Sequence, residues 1–209
     1  MEIISSLANP KIKNIVKLLS KSKERRLQES FIVEGARELS LAIRSGYVID
    51  SVYRCADLHI DSEYISYIKL LDERLVSYIS LPVFQKISYR EGSDGIVAVL
   101  KTKPHALADL KLKQNPFVIV VEAIEKPGNL GAILRTADAA KVDAVIICEA
   151  NTDFYNPNVI RSSVGCVFSV PVASATSEEA YTFLKSKNII MHAAELNASS
   201  WYHETNFQT

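Results

Sequence analysis

The sequence is poor in cysteine and carries no net charge, and both facts restrict what the protein can be. Its three cysteines, Cys55, Cys148 and Cys166, are odd in number, widely spaced and set in apolar stretches. This spacing excludes a disulfide framework and predicts reduced, buried thiols. The 24 basic and 24 acidic residues balance, so no global field attracts a nucleic acid, and any such binding requires a local patch.

Long apolar runs are missing as well. No segment approaches about eighteen consecutive apolar residues, and the N-terminus lacks the apolar run of a signal peptide. We therefore expect a cytoplasmic protein with no membrane contact. Apolar residues make up 48% of the 209-residue chain, which suffices for one good core or two modest ones, and two small α/β domains fit best.

The residue patterns of several enzyme classes are absent. No lysine follows a glycine loop as in a phosphate-binding loop, and no serine occupies a Gly-x-Ser-x-Gly elbow. Gly128 and Gly131 lie three positions apart, which does not match the dinucleotide pattern, so a nicotinamide cofactor is not expected. The histidines have no metal-ligand spacing among themselves or with the cysteines, and we expect no metal. They are His59, His105, His192 and His203.

The first half of the chain alternates predicted helices and strands. Asn9-Pro10 starts a helix as a cap followed by proline, and apolar residues then recur at helical spacing. Such alternation predicts a compact α/β layer domain over residues 1–103, followed by a linker at 104–115. Strands are predicted at 31–33, 48–53 and 95–100, helices at 36–45, 64–71 and 83–87, and residues 75–79 are ambiguous.

A basic patch lies at the N-terminus. Seven lysines and arginines occur between Lys11 and Arg26, against the single acid Glu24. We expect residues 21–26 to form a solvated loop, which is either a surface charge cluster or a contact to a phosphate backbone. The polar loop 89–95 is likewise either a plain connection or an RNA contact through charge and stacking. The candidate RNA-binding residues of these segments are Lys21, Lys23, Arg25, Arg26 and Arg90.

The second half predicts a Rossmann-like parallel sheet. The apolar, β-branched run 117–121 is typical of a strand buried on both faces, and Pro127-Gly128 then forces a turn into a helix capped by Asn129. Arg135 lies in that helix without an obvious carboxylate partner at i±4, so its side chain is free to meet an anion. Ligands of such sheets bind at the carboxyl ends of the strands. Further strands are predicted at 144–148, 167–172 and 189–194, and a helix capped by Ser177 at 177–187.

Two segments resemble the motifs of a known family, the SpoU (TrmH-type) RNA 2′-O-ribose methyltransferases. Residues 126–137, KPGNLGAILRTA, resemble its first motif, and residues 156–168, NPNVIRSSVGCVF, followed by Val170-Pro171-Val172, resemble its second. Residues 1–100 are similar, more loosely, to the substrate-binding domain that often precedes the catalytic one. The resemblance spans nearly the whole chain.

The resemblance implies methyl transfer from S-adenosylmethionine to a ribose 2′-hydroxyl of structured ribosomal or transfer RNA. It assigns hydroxyl activation to Arg135 and the holding of the motif loop and substrate to Asn129. A guanidinium with a pKa above about 12 is a poor base, so stabilising the developing alkoxide or gripping a phosphate suits Arg135 better. Ser162 or Ser163 would assist, across the interface of the homodimer that the resemblance implies. Arg161 is expected to contact RNA.

The resemblance also implies a trefoil knot, made by a third motif that supplies most of the cofactor pocket. The sequence ends at Thr209, before that motif. We therefore expect an α/β fold with a small substrate-binding domain and a knot-type catalytic domain at 116–209, without its closing segment. Ala194, Glu195 and Leu196 would be the surviving wall of the pocket, which this chain alone could not complete.

Two other functions remain open from the sequence. The chain could be a non-catalytic RNA-binding protein that keeps the fold. It could also be a Rossmann-type nucleotide binder that uses the loop at residues 127–131.

Overall fold

The computed structural model describes residues 3–60, 62–89, 93–195 and 200–207. Within these ranges the chain forms two β-sheets, one in each half, and helices cover both. The α/β class expected from the sequence is confirmed. Over the described residues, none of the helices is both long and apolar enough to cross a membrane.

The N-terminal sheet has five strands in the order β1-β4-β3-β5-β2. Neighbours among β1, β4 and β3 run parallel, whereas β5 runs antiparallel to both β3 and β2. The segment that is ambiguous in the sequence is therefore a strand, β4, between two parallel neighbours. The strands are β1 (Ile3–Ile4), β2 (Ser30–Glu34), β3 (Ile49–Cys55), β4 (Val76–Ile79) and β5 (Ile96–Lys101).

In the part of this half that the structure describes, five α-helices flank the sheet. The first begins as predicted, because the Asn9 side chain accepts a hydrogen bond from the Lys11 amide at 2.9 Å and Pro10 occupies the first helical position. The basic run, however, is a second helix and not the predicted loop; its charges suit a helix, with Glu24 in the first turn and arginines in the last. The helices are α1 (Pro10–Ser20), α2 (Ser22–Leu27), α3 (Ala36–Arg44), α4 (Ser62–Lys69) and α5 (Leu81–Ile87).

Alternation along the strands gives this sheet two apolar faces. On β2, Ile32 packs with the α1 and α5 side chains, for example Ile15 and Phe84, whereas Phe31 and Val33 belong to the cluster on the opposite face. Successive strand residues point to opposite faces. The second face is the one on which the C-terminal half packs.

Among the described residues, the C-terminal sheet has three parallel strands in the order β6-β7-β8. Val145 and Ile147 face the cluster that holds α6 and α7, whereas Ile146 and Cys148 face α8. A helix layer on each face is the usual burial of a parallel sheet. The elements are β6 (Val118–Glu122), α6 (Pro127–Ala139), β7 (Ala144–Cys148), α7 (Pro157–Ser162), β8 (Val172–Ala175) and α8 (Ser177–Ser186).

Two predicted strands are wrong. Residues 163–170 form consecutive turns, and β8 begins only at Val172, after Pro171, which has no N–H to donate to a ladder. Residues 189–194 pair with no strand among the described residues, and Ile190 and Met191 are exposed. Apolar runs need a neighbouring strand to satisfy their backbone groups, and periodicity cannot show whether one is present. A helix cap is also corrected, since Thr176 and not Ser177 caps α8.

The predicted state of the thiols agrees with the fold in most respects. Cys55 and Cys148 are free and buried, and Cys166 is free and half-buried. Burial is the largest cause of a raised pKa at Cys148 and Cys166.

Aromatic side chains from both halves form one cluster between the two sheets. Phe31 of β2 stacks on Tyr155 with ring centroids 4.2 Å apart, and Tyr47 meets Phe168 edge-on at 5.2 Å. All four rings are at most 8% exposed. Aromatic pairs in such geometries contribute about 0.5–1.5 kcal/mol beyond their buried area, so the two halves share a continuous core.

The segment between β5 and β6 is fixed to this cluster by hydrogen bonds. His105 Nδ1 lies 3.2 Å from the Val172 carbonyl oxygen, which can only accept, so Nδ1 carries the proton and Nε2 accepts from the Tyr155 hydroxyl at 2.9 Å. The same hydroxyl accepts from the Lys103 amide at 2.9 Å. Burial lowers the pKa of His105 below its usual 6.5, and the positive charge of Lys103 adds to that effect. The neutral imidazole is therefore part of the folded state.

This arrangement predicts a dependence of stability on pH. A histidine whose pKa is lower in the folded state stabilises the fold at pH values above its unfolded-state pKa, which is near 6.5. That contribution is lost as the pH falls through the folded-state pKa. We expect the free energy of unfolding of the wild-type chain to fall more steeply between about pH 7 and about pH 5 than that of His105→Gln. Urea titrations at several pH values measure both slopes, and equal slopes would contradict the neutral assignment.

Candidate active site

The helix that carries the first motif starts at a proline. Lys126 is the N-cap without a side-chain hydrogen bond, and Pro127 occupies the first helical position, where its missing N–H costs nothing. Asn129 is therefore the third helical residue, exposed to solvent, and not the predicted cap. The preceding turn is held by Thr152, whose hydroxyl lies 2.8 Å from the Ile124 carbonyl oxygen. Thr152 belongs to the loop ahead of α7, so the two motif loops are tied together.

The two motif helices meet at a glycine. A Cβ placed on Gly131 of α6 would lie 2.8 Å from both Ser162 Cβ and the Ser163 amide nitrogen of the second motif. Real Cβ atoms do not approach other atoms so closely, so only glycine permits this packing distance. Gly131 therefore brings the two predicted motifs into direct contact.

Arg135 lies one helical turn beyond this contact and is exposed to solvent. Within the described ranges, no ion pair or hydrogen bond involves its guanidinium. Cys166 of the second motif lies near enough for the arginine charge to oppose, slightly, the rise in thiol pKa that burial causes. Arg135 is thus an available cation beside the second motif.

The two serines of the second motif differ in accessibility. Ser162 is half-buried, and its hydroxyl donates to the Asn158 carbonyl oxygen of α7 at 2.6 Å. Ser163 is fully buried, donates to the Ile160 carbonyl oxygen and accepts from the Val167 amide. A substrate cannot reach Ser163 in this structure, so the structure does not fit its predicted catalytic role. Sequence alone cannot tell which of two adjacent helical serines faces the core.

Arg25 does not fit the RNA contact predicted for it either. The side chain is 3% exposed and forms an ion pair with Asp153, with Nη2 and Nε lying 2.6 Å and 2.7 Å from Oδ2. It also donates to the Leu18 carbonyl oxygen at the end of α1. All its donors point inward, so Arg25 joins α2 to the loop ahead of α7 instead of meeting a phosphate. Sequence analysis missed Asp153, which carries no pattern of its own.

The other predicted RNA-binding residues lie at the surface where the structure describes them. Lys21, Lys23 and Arg26 are exposed on and beside α2. Arg161 is exposed on α7, with its guanidinium 5.8 Å from the ring centre of Tyr89 in the N-terminal half. Arg90 lies outside the described residues.

The predicted cofactor wall is only partly described. Ala194 and Glu195 are exposed, in backbone without regular structure, and Leu196 lies outside the described residues. A small-molecule site normally buries most of its ligand, which these two residues alone do not do. The described wall therefore does not fit a complete cofactor site.

Polar groups that sequence analysis missed lie at the carboxyl ends of β6 and β7. Glu122 accepts from the Ser177 hydroxyl at 2.6 Å, and Glu149 accepts from the Ser177 amide at 2.8 Å. Carboxylates at this edge of a parallel sheet are suited to accept hydrogen bonds from ribose hydroxyls. In the part of the chain that the structure describes, no group of three potential metal ligands is close enough to hold a metal ion.

Comparison with known proteins assigns a family to this pair of motif helices. The SpoU rRNA methylase family model matches residues 116–209, and the model of an MRM3-like substrate binding domain matches residues 9–98. A crystal structure of an RNA 2′-O ribose methyltransferase has a TM-score of 0.84 and 33% sequence identity, over 98% of this chain and 78% of that chain. The chain belongs to the SpoU rRNA methylase family.

Two other relatives agree with the SpoU assignment. The 23S rRNA (guanosine(2553)-2′-O)-methyltransferase RlmP of Bacillus subtilis is 28% identical over 205 residues, which cover 98% of this chain and 77% of the relative. The AdoMet-bound rRNA methyltransferase from Sinorhizobium meliloti has a TM-score of 0.77 and 25% identity, over 89% and 69% of the two chains. The predicted family is confirmed, and the knot stays a prediction.

The glycine contact predicts a difference between two alanine variants of the same SpoU motif. Gly131→Ala should lower the free energy of unfolding by about 1–3 kcal/mol, the usual cost of overpacking, because the methyl group meets Ser162. Gly128→Ala is the matched control, since nothing lies within 4 Å of the position that its methyl group would occupy, and its effect should stay within about 1 kcal/mol. Urea unfolding measures both, and equal losses would contradict the contact.

Proposed function

We propose that this chain methylates ribosomal RNA at a ribose 2′-hydroxyl, with S-adenosylmethionine as the methyl donor. The observation that carries the proposal is Arg135, an exposed guanidinium held beside the second motif by the Gly131–Ser162 contact and without an ion pair among the described residues. The names of the relatives support the same reaction on 23S ribosomal RNA. Neither alternative left open by the sequence is favoured by a specific contact.

The chemistry needs a cation where negative charge develops. When bound, S-adenosylmethionine supplies a methyl group whose bond to sulfur breaks as the bond to O2′ forms, while the hydroxyl loses its proton. A guanidinium stabilises the growing negative charge on O2′ or binds the neighbouring phosphate through paired N–H donors. Arg135 performs this role, and a separate group or water must accept the proton because arginine remains charged.

The remaining motif residues act around Arg135. The exposed amide of Asn129, in the first turn of α6, can donate to and accept from the ribose and its phosphate. Ser162 acts by setting the distance between α7 and α6, since its hydroxyl is already bonded within α7. Ala194 and Glu195 would contact only part of the methyl donor, S-adenosylmethionine.

The two halves of the chain have different roles in this proposal. Residues 1–103 bind the RNA, 104–115 link the halves, and 116–209 catalyse, a division that the two family matches support. We further propose that the protein acts in the cytoplasm as a homodimer, the assembly that the family resemblance implies.

Replacement of Arg135 tests the catalytic assignment. Arg135→Ala should lower the rate of methyl transfer from labelled S-adenosylmethionine to unmodified 23S ribosomal RNA by about 10²–10³-fold, as expected when a transition-state donor is removed. RNA affinity should fall by less than about tenfold, the cost of one charged contact.

The control for this variant is Lys141→Ala, which removes another exposed cation just beyond the end of α6. It should leave the methylation rate unchanged. If Arg135→Ala retains wild-type activity, or if both variants lose it equally, Arg135 does not have the proposed role.

Exposed cations lie on α2 and on α7. Lys23 and Arg26 are exposed on α2, and the buried Arg25 between them ties this helix to the loop ahead of α7. Arg161 is exposed on α7, the helix that follows this loop. The chain has no net charge, so this local patch is where a phosphate backbone would be attracted.

Salt dependence tests this surface. The double variant Lys23→Ala/Arg26→Ala should bind 23S ribosomal RNA more weakly, and each lost phosphate contact should reduce the slope of log affinity against log salt by about one unit. The matched control, Lys185→Ala/Lys187→Ala, also removes two exposed cations, but at α8 on the opposite face of the C-terminal sheet. Equal slopes for the two double variants would overturn the assignment.

A further inference from the structure

Residues 153–155, directly ahead of α7, contact the N-terminal half and the linker with all three side chains. Asp153 pairs with Arg25 on α2, Phe154 packs on His105 of the linker with ring centroids 4.4 Å apart, and Tyr155 stacks on Phe31 of β2. Neither family motif includes this tripeptide. We call it the joint.

The Asp153 contact is the directional part of the joint. Its Oδ2 binds two nitrogens of the Arg25 guanidinium, while its Oδ1 accepts from the Tyr155 amide at 3.0 Å. The Arg25 side chain is 4% exposed and that of Asp153 19% exposed. A paired, largely buried carboxylate and guanidinium fix both distance and orientation, which apolar packing alone does not.

The joint is followed directly by the second motif, which starts at Asn156. Asn156 follows it and caps α7 by accepting from the Asn158 amide at 2.8 Å. Gly165, beyond the other end of α7, packs so closely on Leu41 of α3 that a Cβ would lie 2.6 Å from the Leu41 Cδ1 atom. Both ends of α7 are therefore set by the N-terminal half, and α7 in turn abuts Gly131, one turn before Arg135.

We propose that Asp153 is a positioning residue that aligns the basic helix α2 with the α6–α7 site, so that RNA held on α2 presents its ribose to Arg135. This inference rests on the proposed methyl transfer. Asp153 touches neither the substrate nor the reacting atoms; it acts through Arg25 on one side and α7 on the other.

Kinetics with unmodified 23S ribosomal RNA test the alignment. Asp153→Asn keeps the size of the side chain but leaves Arg25 without its counter-ion, and it should raise the KM for RNA by about tenfold or more while kcat falls less than about threefold. Asp153→Glu keeps a carboxylate at this position, and its KM should lie between those of Asp153→Asn and the wild type. The control Asp72→Asn breaks an ion pair to Arg74 that lies within the N-terminal half and should change neither constant.

A second variant separates alignment from stability. Arg25→Met/Asp153→Leu removes both charges together, a replacement that often leaves a fold as stable as before. It should melt near the wild-type temperature and still show the raised KM. A folded double variant with a wild-type KM would overturn the proposal.

Hydrogen exchange tests the joint without any activity. Amides of α2 and α7 should exchange about tenfold faster in Asp153→Asn than in wild type, whereas those of α8 should be unchanged. Unchanged exchange in α2 and α7 would overturn the joint even if the enzyme methylates RNA. If instead the wild-type chain methylates no RNA, the exchange experiment still decides whether the joint exists, and only the proposed function fails.

Discussion

The contact between Gly131 and Ser162 is the constraint on which the candidate site depends. It lets α6 and α7 approach more closely than any side chain on α6 would allow at that position. This approach places Arg135, an exposed cation of α6, beside the second motif. A side chain at position 131 would clash with Ser162 and push the two motif helices apart.

The second constraint is the junction between the halves. Aromatic rings from both halves share one core, and the Arg25–Asp153 pair adds a directional contact between the halves. A chain without net charge must bind a polyanion through a patch of fixed location. Fixing α2 against the loop of α7 gives that patch a defined position relative to Arg135, so the junction connects binding to catalysis.

The sequence predicted what depends on local pattern. The start of α1 at Asn9-Pro10, the alternation of strands and helices, and the two motifs could be read from residues close together in the chain. Prediction from sequence failed where the deciding contact is distant in the chain. Residues 189–194 have the composition of a strand, but no strand lies beside them among the described residues. Arg25 resembles a surface cation in the sequence, because its partner Asp153 is 128 residues away. Ser162 and Ser163 look equivalent in sequence, and only packing separates them.

The central claim is that the α6–α7 pair transfers a methyl group to a ribose of ribosomal RNA. Mapping 2′-O-methylation across total RNA, from cells with and without the protein, measures this most directly. The account predicts that one or a few ribose methyl groups of ribosomal RNA disappear when the protein is absent and return when the wild-type chain is restored. An identical methylation map in the two cell lines would contradict it.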